Sequence, residues 1–195
     1  MKNTYALRET GEKADEGKGS IMERYNGSGA KVYGCTMEGR LAVARIFSFQ
    51  GGLTLQRSRY DVAQSWSDDD KVAPEREMFR SPNFYGYMVA RYTPFKNFDI
   101  DLSGTYTGSM LTPHMKGSGT DIDVAVRTPS FWDMSCKIGY EFNIMGICRL
   151  KLYTGVKNIF NSYQKDFDKG EGRDSGYIYG PSLPRSLFFG MGMNF

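Results

Sequence analysis

From Leu187 to the end of the chain the odd positions read Leu187, Phe189, Met191, Met193 and Phe195, against Phe188, Gly190, Gly192 and Asn194 at the even ones. Side chains of an extended strand alternate between two faces. The segment therefore predicts a strand with one greasy face and one small or polar face. Upstream, Cys148, Leu150, Leu152, Thr154 and Val156 alternate with Arg149, Lys151, Tyr153, Gly155 and Lys157. Before them, Trp132, Met134, Cys136, Ile138, Tyr140 and Phe142 alternate with Asp133, Ser135, Lys137, Gly139, Glu141 and Asn143. Phe98, Ile100, Leu102, Gly104 and Tyr106 are interleaved with Asp99, Asp101, Ser103 and Thr105. Further strands are predicted over Phe84–Tyr92, Phe47–Leu55 and Tyr33–Leu41, about seven in all.

The connections alternate in length. Short turns fall near Ala44-Arg45, Phe95-Lys96 and Met145-Gly146, and long polar loops at about 61–82, 111–129 and 160–184. Transmembrane barrels have this asymmetry, with short periplasmic turns and long extracellular loops. The pattern predicts an all-β fold of antiparallel transmembrane β-barrel strands, with the final strand ending at the periplasmic rim. Trp132, Tyr140, Phe142, Phe98 and Tyr60 fall where interfacial aromatic girdles belong. A soluble antiparallel sandwich also alternates, but it seldom carries charges along the polar faces of long strands.

Composition and charge refine this picture. Aromatic residues make up 14% of the chain and glycine reaches 23, which favours strands and tight turns. Mean hydropathy is −0.48, and no stretch approaches the roughly 18 apolar residues of a membrane helix. A barrel strand needs only about 9–11 residues with every second one apolar, so low hydropathy does not argue against a barrel. The net charge of +3, with acids and bases interspersed, gives no basic stripe for nucleic acid. Cys35, Cys136 and Cys148 show no metal-ligand or disulfide spacing, so no cofactor and no metal are expected.

Seven strands whose last ends in the periplasm would begin outside the cell, whereas a complete bacterial barrel has an even number. The chain thus reads as incomplete. Residues 1–19, with Glu9, Lys13, Asp15, Glu16 and Lys18, read as the remnant of a charged extracellular loop, and residues 20–195 as barrel. No signal peptide opens the chain. The alternative is a small complete porin-like barrel in which residues 1–10 supply an eighth strand.

Several stretches resemble a known family. Thr105-Tyr106-Thr107-Gly108-Ser109-Met110, Thr112-Pro113-His114 and Thr128-Pro129-Ser130-Phe131-Trp132-Asp133 are similar to the distal barrel of TonB-dependent outer-membrane receptors, particularly the Bacteroides type. Gly155-Val156-Lys157-Asn158-Ile159-Phe160-Asn161-Ser162-Tyr163-Gln164 resembles that family's penultimate strand and following loop. The segments Arg173–Pro181 and Pro184-Arg185 resemble its last loop, and Lys31–Gly39 an earlier strand.

The resemblance implies the C-terminal part of a barrel of about 22 strands with a plugged lumen, in a receptor importing a scarce ligand such as a siderophore, haem or cobalamin. No plug domain is present in the sequence. The implied partners are outer-membrane lipid, the barrel assembly machinery, the plug and upstream strands, and the TonB complex through the plug. Glu38, Arg40, Arg91, Asp99, Asp101, Asp133, Lys137, Glu141, Arg149 and Lys151 would line the lumen and meet the plug. Arg173, Tyr177 and Tyr179 are candidates for ligand contact, since aromatics and arginine commonly anchor binding. Gly190, Met193 and Phe195 resemble the assembly signal, from which Phe188 departs where a polar residue is expected. His114, beside Met110 and Met115, is a thin metal site. Ser109, His114 and Asp121 have no strand logic as a catalytic set, so no enzyme is expected.

Overall fold

The computed structural model of the chain describes residues 5–13 and 20–194. Twelve strands and no helix occur among them: β1 (Tyr5–Lys13), β2 (Ser20–Asn26), β3 (Ala30–Val43), β4 (Phe47–Gln64), β5 (Glu75–Glu77) and β6 (Phe84–Tyr92), then β7 (Phe98–Thr107), β8 (Leu111–His114), β9 (Val124–Arg127), β10 (Phe131–Ile144), β11 (Cys148–Lys157) and β12 (Ser186–Asn194). The principal sheet runs β12-β11-β10-β7-β6-β4-β3, with β5 on β4; β1-β2 and β8-β9 form separate pairs. The seven strands of that path are the seven expected from alternation. Among the described residues no pairing joins β12 to β3.

The chain divides into two compact units. The smaller, Met1–Tyr33 with Arg57–Met78, contains the antiparallel β1-β2 pair, in which Tyr5 faces Asn26 and Lys13 faces Ser20. Of the span 1–19 expected as a loop, 1–4 and 14–19 lie outside the described residues, while residues 5–13 form a strand. Their polar sequence lacks the apolar alternate positions by which a strand is recognised. In the same unit Lys31 Nζ lies 3.0 Å from Asp61, and Arg76 Nη2 donates to the Asp61 carbonyl at 2.6 Å.

The larger unit, Gly34–Gln56 with Phe79–Phe195, holds most of the principal sheet. Its register keeps like with like. Along β10, Trp132 faces Tyr106, Met134 faces Gly104 and Ile138 faces Ile100, while Asp133 faces Thr105 and Lys137 faces Asp101. On the other side Glu141 faces Lys151 and Phe142 faces Leu150. Paired residues point to the same side of a sheet, so one face is apolar and the other carries the charged residues.

The apolar face is uncovered. Met37 is 74% exposed, Leu187 81% and Phe189 73%. Leaving each such side chain in water forgoes about 1.5–3 kcal/mol. A sandwich would bury this face against another sheet, so the sandwich alternative does not describe the molecule. The buried apolar residues of this unit, Met110, Leu111, Phe131 and Tyr177, gather instead at the loop end.

The long connections are more ordered than alternation predicts. The 111–129 loop contains the β8-β9 hairpin, with Leu111 facing Arg127 and His114 facing Val124. At four residues each, and with Pro113 inside β8, these strands are too short for a period of two to stand out. At the opposite end Met145 and Gly146 take positive φ values of 52° and 73°, and Asn143 Oδ1 accepts from the Gly146 N–H at 3.1 Å. That tight turn is the one expected at Met145-Gly146.

Phe188, an apolar residue on the polar face, has a local explanation. It lies opposite Gly155, just as Tyr153 lies opposite Gly190, and each ring occupies the space over the facing glycine. A Cβ at Gly155 would overlap the Cys136 carbonyl oxygen and the Phe188 ring, whereas one at Gly192 meets nothing within 4 Å. Gly155→Val should therefore destabilise the folded protein by about 1–3 kcal/mol, the usual cost of overpacking, and lower its urea midpoint. Gly192→Ala should leave the midpoint unchanged. Equal midpoints for Gly155→Val and the unsubstituted protein would contradict the glycine–aromatic packing.

Candidate functional site

The polar face carries a ladder of paired charges, some directly across from one another and some diagonal or spanning a strand. Arg91 on β6 donates to Asp101 on β7 through Nε at 2.6 Å and Nη2 at 3.1 Å. Lys137 on β10 reaches the same carboxylate at 2.7 Å. The triad follows directly from the register, in which Asp101 faces Arg91 on one side and Lys137 on the other. Lys151 meets Asp99 at 2.6 Å, and Arg149 lies 3.9 Å from Glu141. Half-exposed pairs of this kind are worth at most about 1 kcal/mol each, so they set the chemistry of the face more than its stability.

The remaining charges on this face are placed differently. Glu38 accepts a long hydrogen bond from the Tyr87 hydroxyl at 3.4 Å. Asp99 Oδ2 is buried and without a hydrogen-bond partner among the described residues. Arg40 and Asp133 lie on the same face with no ion-pair partner among the described residues.

At the loop end, the β8-β9 hairpin and the segment 158–185 are clamped together. His114 Nε2 lies 3.0 Å from both carboxylate oxygens of Asp168, and the Tyr177 ring stacks on the imidazole with centroids 3.8 Å apart and planes 6° apart. Gly119 permits this approach, because a Cβ there would overlap the Asp168 carboxylate. Tyr177 and Tyr179 donate their hydroxyls to the two oxygens of Asp166, at 3.0 and 2.5 Å. Gln164, 1% exposed, donates to the Tyr177 carbonyl and accepts from the Tyr179 N–H. The Asp174 carboxylate accepts from the Met115 and Gly176 N–H groups, each at 2.8 Å. The Arg80 guanidinium donates to the Ile178 carbonyl at 3.1 Å and to the Gly176 carbonyl.

The motif after β11 anchors this loop. Asn158, at a positive φ of 50°, donates through Nδ2 to the carbonyls of Ser162 and Leu183 and accepts from the Ser162 N–H. Asn161, also at positive φ, accepts from the Arg185 N–H at 3.0 Å. Asparagine tolerates the left-handed region better than other residues with a Cβ, which explains both positions physically.

Beneath the clamp, on the polar face, lies a cleft of about 130 Å³ bounded by Phe131 and Tyr179, the Thr105 and Thr107 positions, Asp133 and Gly180-Pro181. Phe131 and Tyr179 approach with ring centroids 5.9 Å apart. A Cβ at Gly180 would press on the Phe131 ring at 2.8 Å.

The residues singled out from sequence are thus dispersed over both ends of the sheet. Tyr177 is 3% exposed and spends its ring and hydroxyl inside the clamp. Tyr179 spends its hydroxyl on Asp166 but presents its ring to the cleft. Arg173, at an exposed tip, donates to the Gly170 carbonyl at 3.2 Å. His114 is held by Asp168 instead of Asp121, and Met110 is buried. Gly190 and Met193 lie in β12, facing Tyr153 and Leu150; Phe195 lies outside the described residues. Asp166, Asp168 and Gln164 carry the clamp and have no periodic signature in the sequence.

The clamp has a defined pH window. The Asp174 N–H, followed by the His114 imidazole, holds the Asp168 carboxyl below its usual range. Such a group stabilises the fold above about pH 4 and loses that contribution as pH falls through its depressed value. Burial, then the Asp166 carboxylate, raises Tyr177 to about 12, and the same causes raise Tyr179. Their contribution is complete below about pH 10 and is lost as pH climbs toward the raised values. Amide exchange across 164–179 should accordingly stay slow between about pH 4 and pH 10 after correction for intrinsic rates. His114→Ala should accelerate it about tenfold or more at neutral pH. Unchanged exchange in His114→Ala would contradict a clamp centred on that side chain.

Comparison by sequence finds no matching family model and no matching curated protein. Comparison by structure finds Fiu, the ferric-catecholate import receptor of Escherichia coli K12, in its closed form. The TM-score is 0.61 at 20% identity, over 93% of this chain and 22% of that one. A mutant of the ferric enterobactin receptor PfeA from Pseudomonas aeruginosa gives 0.57 at 16% identity, over 98% of this chain and 27% of that one. The chain spans about a quarter of the length of the matched chains, and over that span it has the fold of import-receptor β-barrel.

Proposed function

We propose that the chain is the C-terminal portion of the β-barrel of a TonB-dependent outer-membrane receptor, of the Bacteroides type, that actively imports a scarce ligand such as a ferric siderophore, haem or cobalamin. The observation that carries this reading is the seven-strand sheet with one apolar and one charged face, joined to its likeness to import-receptor barrels. The apolar face meets lipid and the charged face lines the lumen. There Glu38, Arg40, Asp133 and the paired ladder of Arg91, Asp99, Asp101, Lys137, Glu141, Arg149 and Lys151 meet the plug.

The free edges of β3 and β12 pair with the other strands of the same barrel, because unpaired backbone groups are not tolerated in hydrocarbon. The TonB complex acts through the plug, and Gly190, Met193 and Phe195 present the assembly signal to the barrel assembly machinery. By itself the portion does not transport. Its outer loops, with Arg173, Tyr177 and Tyr179, form part of the ligand entrance.

An antibody against residues 111–129 should detect a heat-modifiable outer-membrane protein with a mass well above 22.0 kDa. Disrupting the TonB complex should abolish energy-dependent uptake by that protein. A freely soluble species of 22.0 kDa would contradict the reading.

A further inference from the structure

The acids of the polar face divide into two groups. Asp99 meets Lys151 across the intervening β10, and Asp101 and Glu141 each meet a lysine or arginine on a neighbouring strand. Asp133 does not: it lines the cleft under the last loop, no lysine or arginine shares that lining, and no ion pair to it occurs among the described residues. Lys157, at the end of β11, holds its ammonium 5.7 Å over the Phe188 ring instead. What shares the cleft with Asp133 is two aromatic rings, Phe131 and Tyr179, and the Thr105 and Thr107 positions of β7.

A carboxylate beside aromatic faces is the combination that recognises a positive charge. The carboxylate supplies a charge-assisted hydrogen bond, the rings supply cation–π attraction, and the threonine hydroxyls can accept remaining N–H groups. At about 130 Å³ the space holds a small cationic head rather than a whole chelate. The clamp fixes one wall, because Tyr179 is oriented by Asp166 and Gln164. We infer that this cleft is a subsite for an ammonium or guanidinium group. The group is supplied either by the imported ligand or by a lysine or arginine elsewhere in the same receptor. The inference rests on the receptor reading only for where the cation comes from.

The test uses the full-length receptor carrying this chain, with butylammonium as the probe. Saturation-transfer NMR and thermal unfolding are measured for the unsubstituted protein, for Asp133→Asn and, as control, for Glu171→Gln at an exposed loop position. If the ligand supplies the cation, butylammonium binds and Asp133→Asn weakens it about tenfold, the share of one charge-assisted contact. Glu171→Gln then binds as before and the melting temperature is unchanged. If the receptor itself supplies the cation, butylammonium does not bind, and Asp133→Asn lowers the melting temperature by several degrees while Glu171→Gln does not. Two results overturn the inference: equal probe binding with and without Asp133, or no binding together with an unchanged melting temperature. Neither depends on whether the receptor imports anything, so failure here is distinct from failure of the receptor reading.

Discussion

Backbone N–H and C=O groups must find partners, which a strand finds on the strand beside it, and everything else in this sheet depends on that pairing. Because the pairing is in register over most of each strand, the period of two in the sequence becomes two continuous faces. Trp132 beside Tyr106 and Asp133 beside Thr105 are adjacent in sequence yet belong to opposite environments. A slip of one residue would send Lys137 and Glu141 to the apolar side. The cross-strand pairs Arg91–Asp101–Lys137 and Lys151–Asp99 are small in energy, but they leave the polar face with matched charge in the true register.

The two ends of the sheet solve different problems. At one end, tight turns such as Asn143–Gly146 reverse the chain with few residues. At the other, long segments depart from strand geometry and need their own packing. Met110, Leu111, Phe131 and Tyr177 provide it, with His114, Asp168 and Gln164 sealing the polar groups inside. The clamp ties together two loops that are distant in sequence. It also holds the Tyr179 ring over the Asp133 cleft.

The sheet was legible in the sequence because its signal is local. Ile138 beside Lys137, or Leu150 beside Lys151, betrays a face without knowledge of any partner. The seven strands and the short turns follow from such positions. The clamp was not legible, since His114 and Asp168 are 54 positions apart and no periodicity links them. A single histidine among methionines reads as a thin metal site, and the folded chain shows its nitrogen committed to a carboxylate. Phe188 broke the alternation for a reason that alternation cannot express, the vacant side-chain space over Gly155. The β1-β2 pair escaped because a polar strand in a small two-stranded sheet has no apolar face to declare.

The central claim is that one face of this sheet lies against lipid and the other against an aqueous or protein-filled lumen. Spin labels placed singly along β10 from Trp132 to Asn143, in the reconstituted full-length protein, test it most directly. Labels at 132, 134, 136, 138, 140 and 142 should collide readily with oxygen and poorly with a water-soluble nickel complex. Labels at 133, 135, 137, 139, 141 and 143 should show no such preference for oxygen. Accessibility without a period of two, or with its phase reversed, would contradict the account.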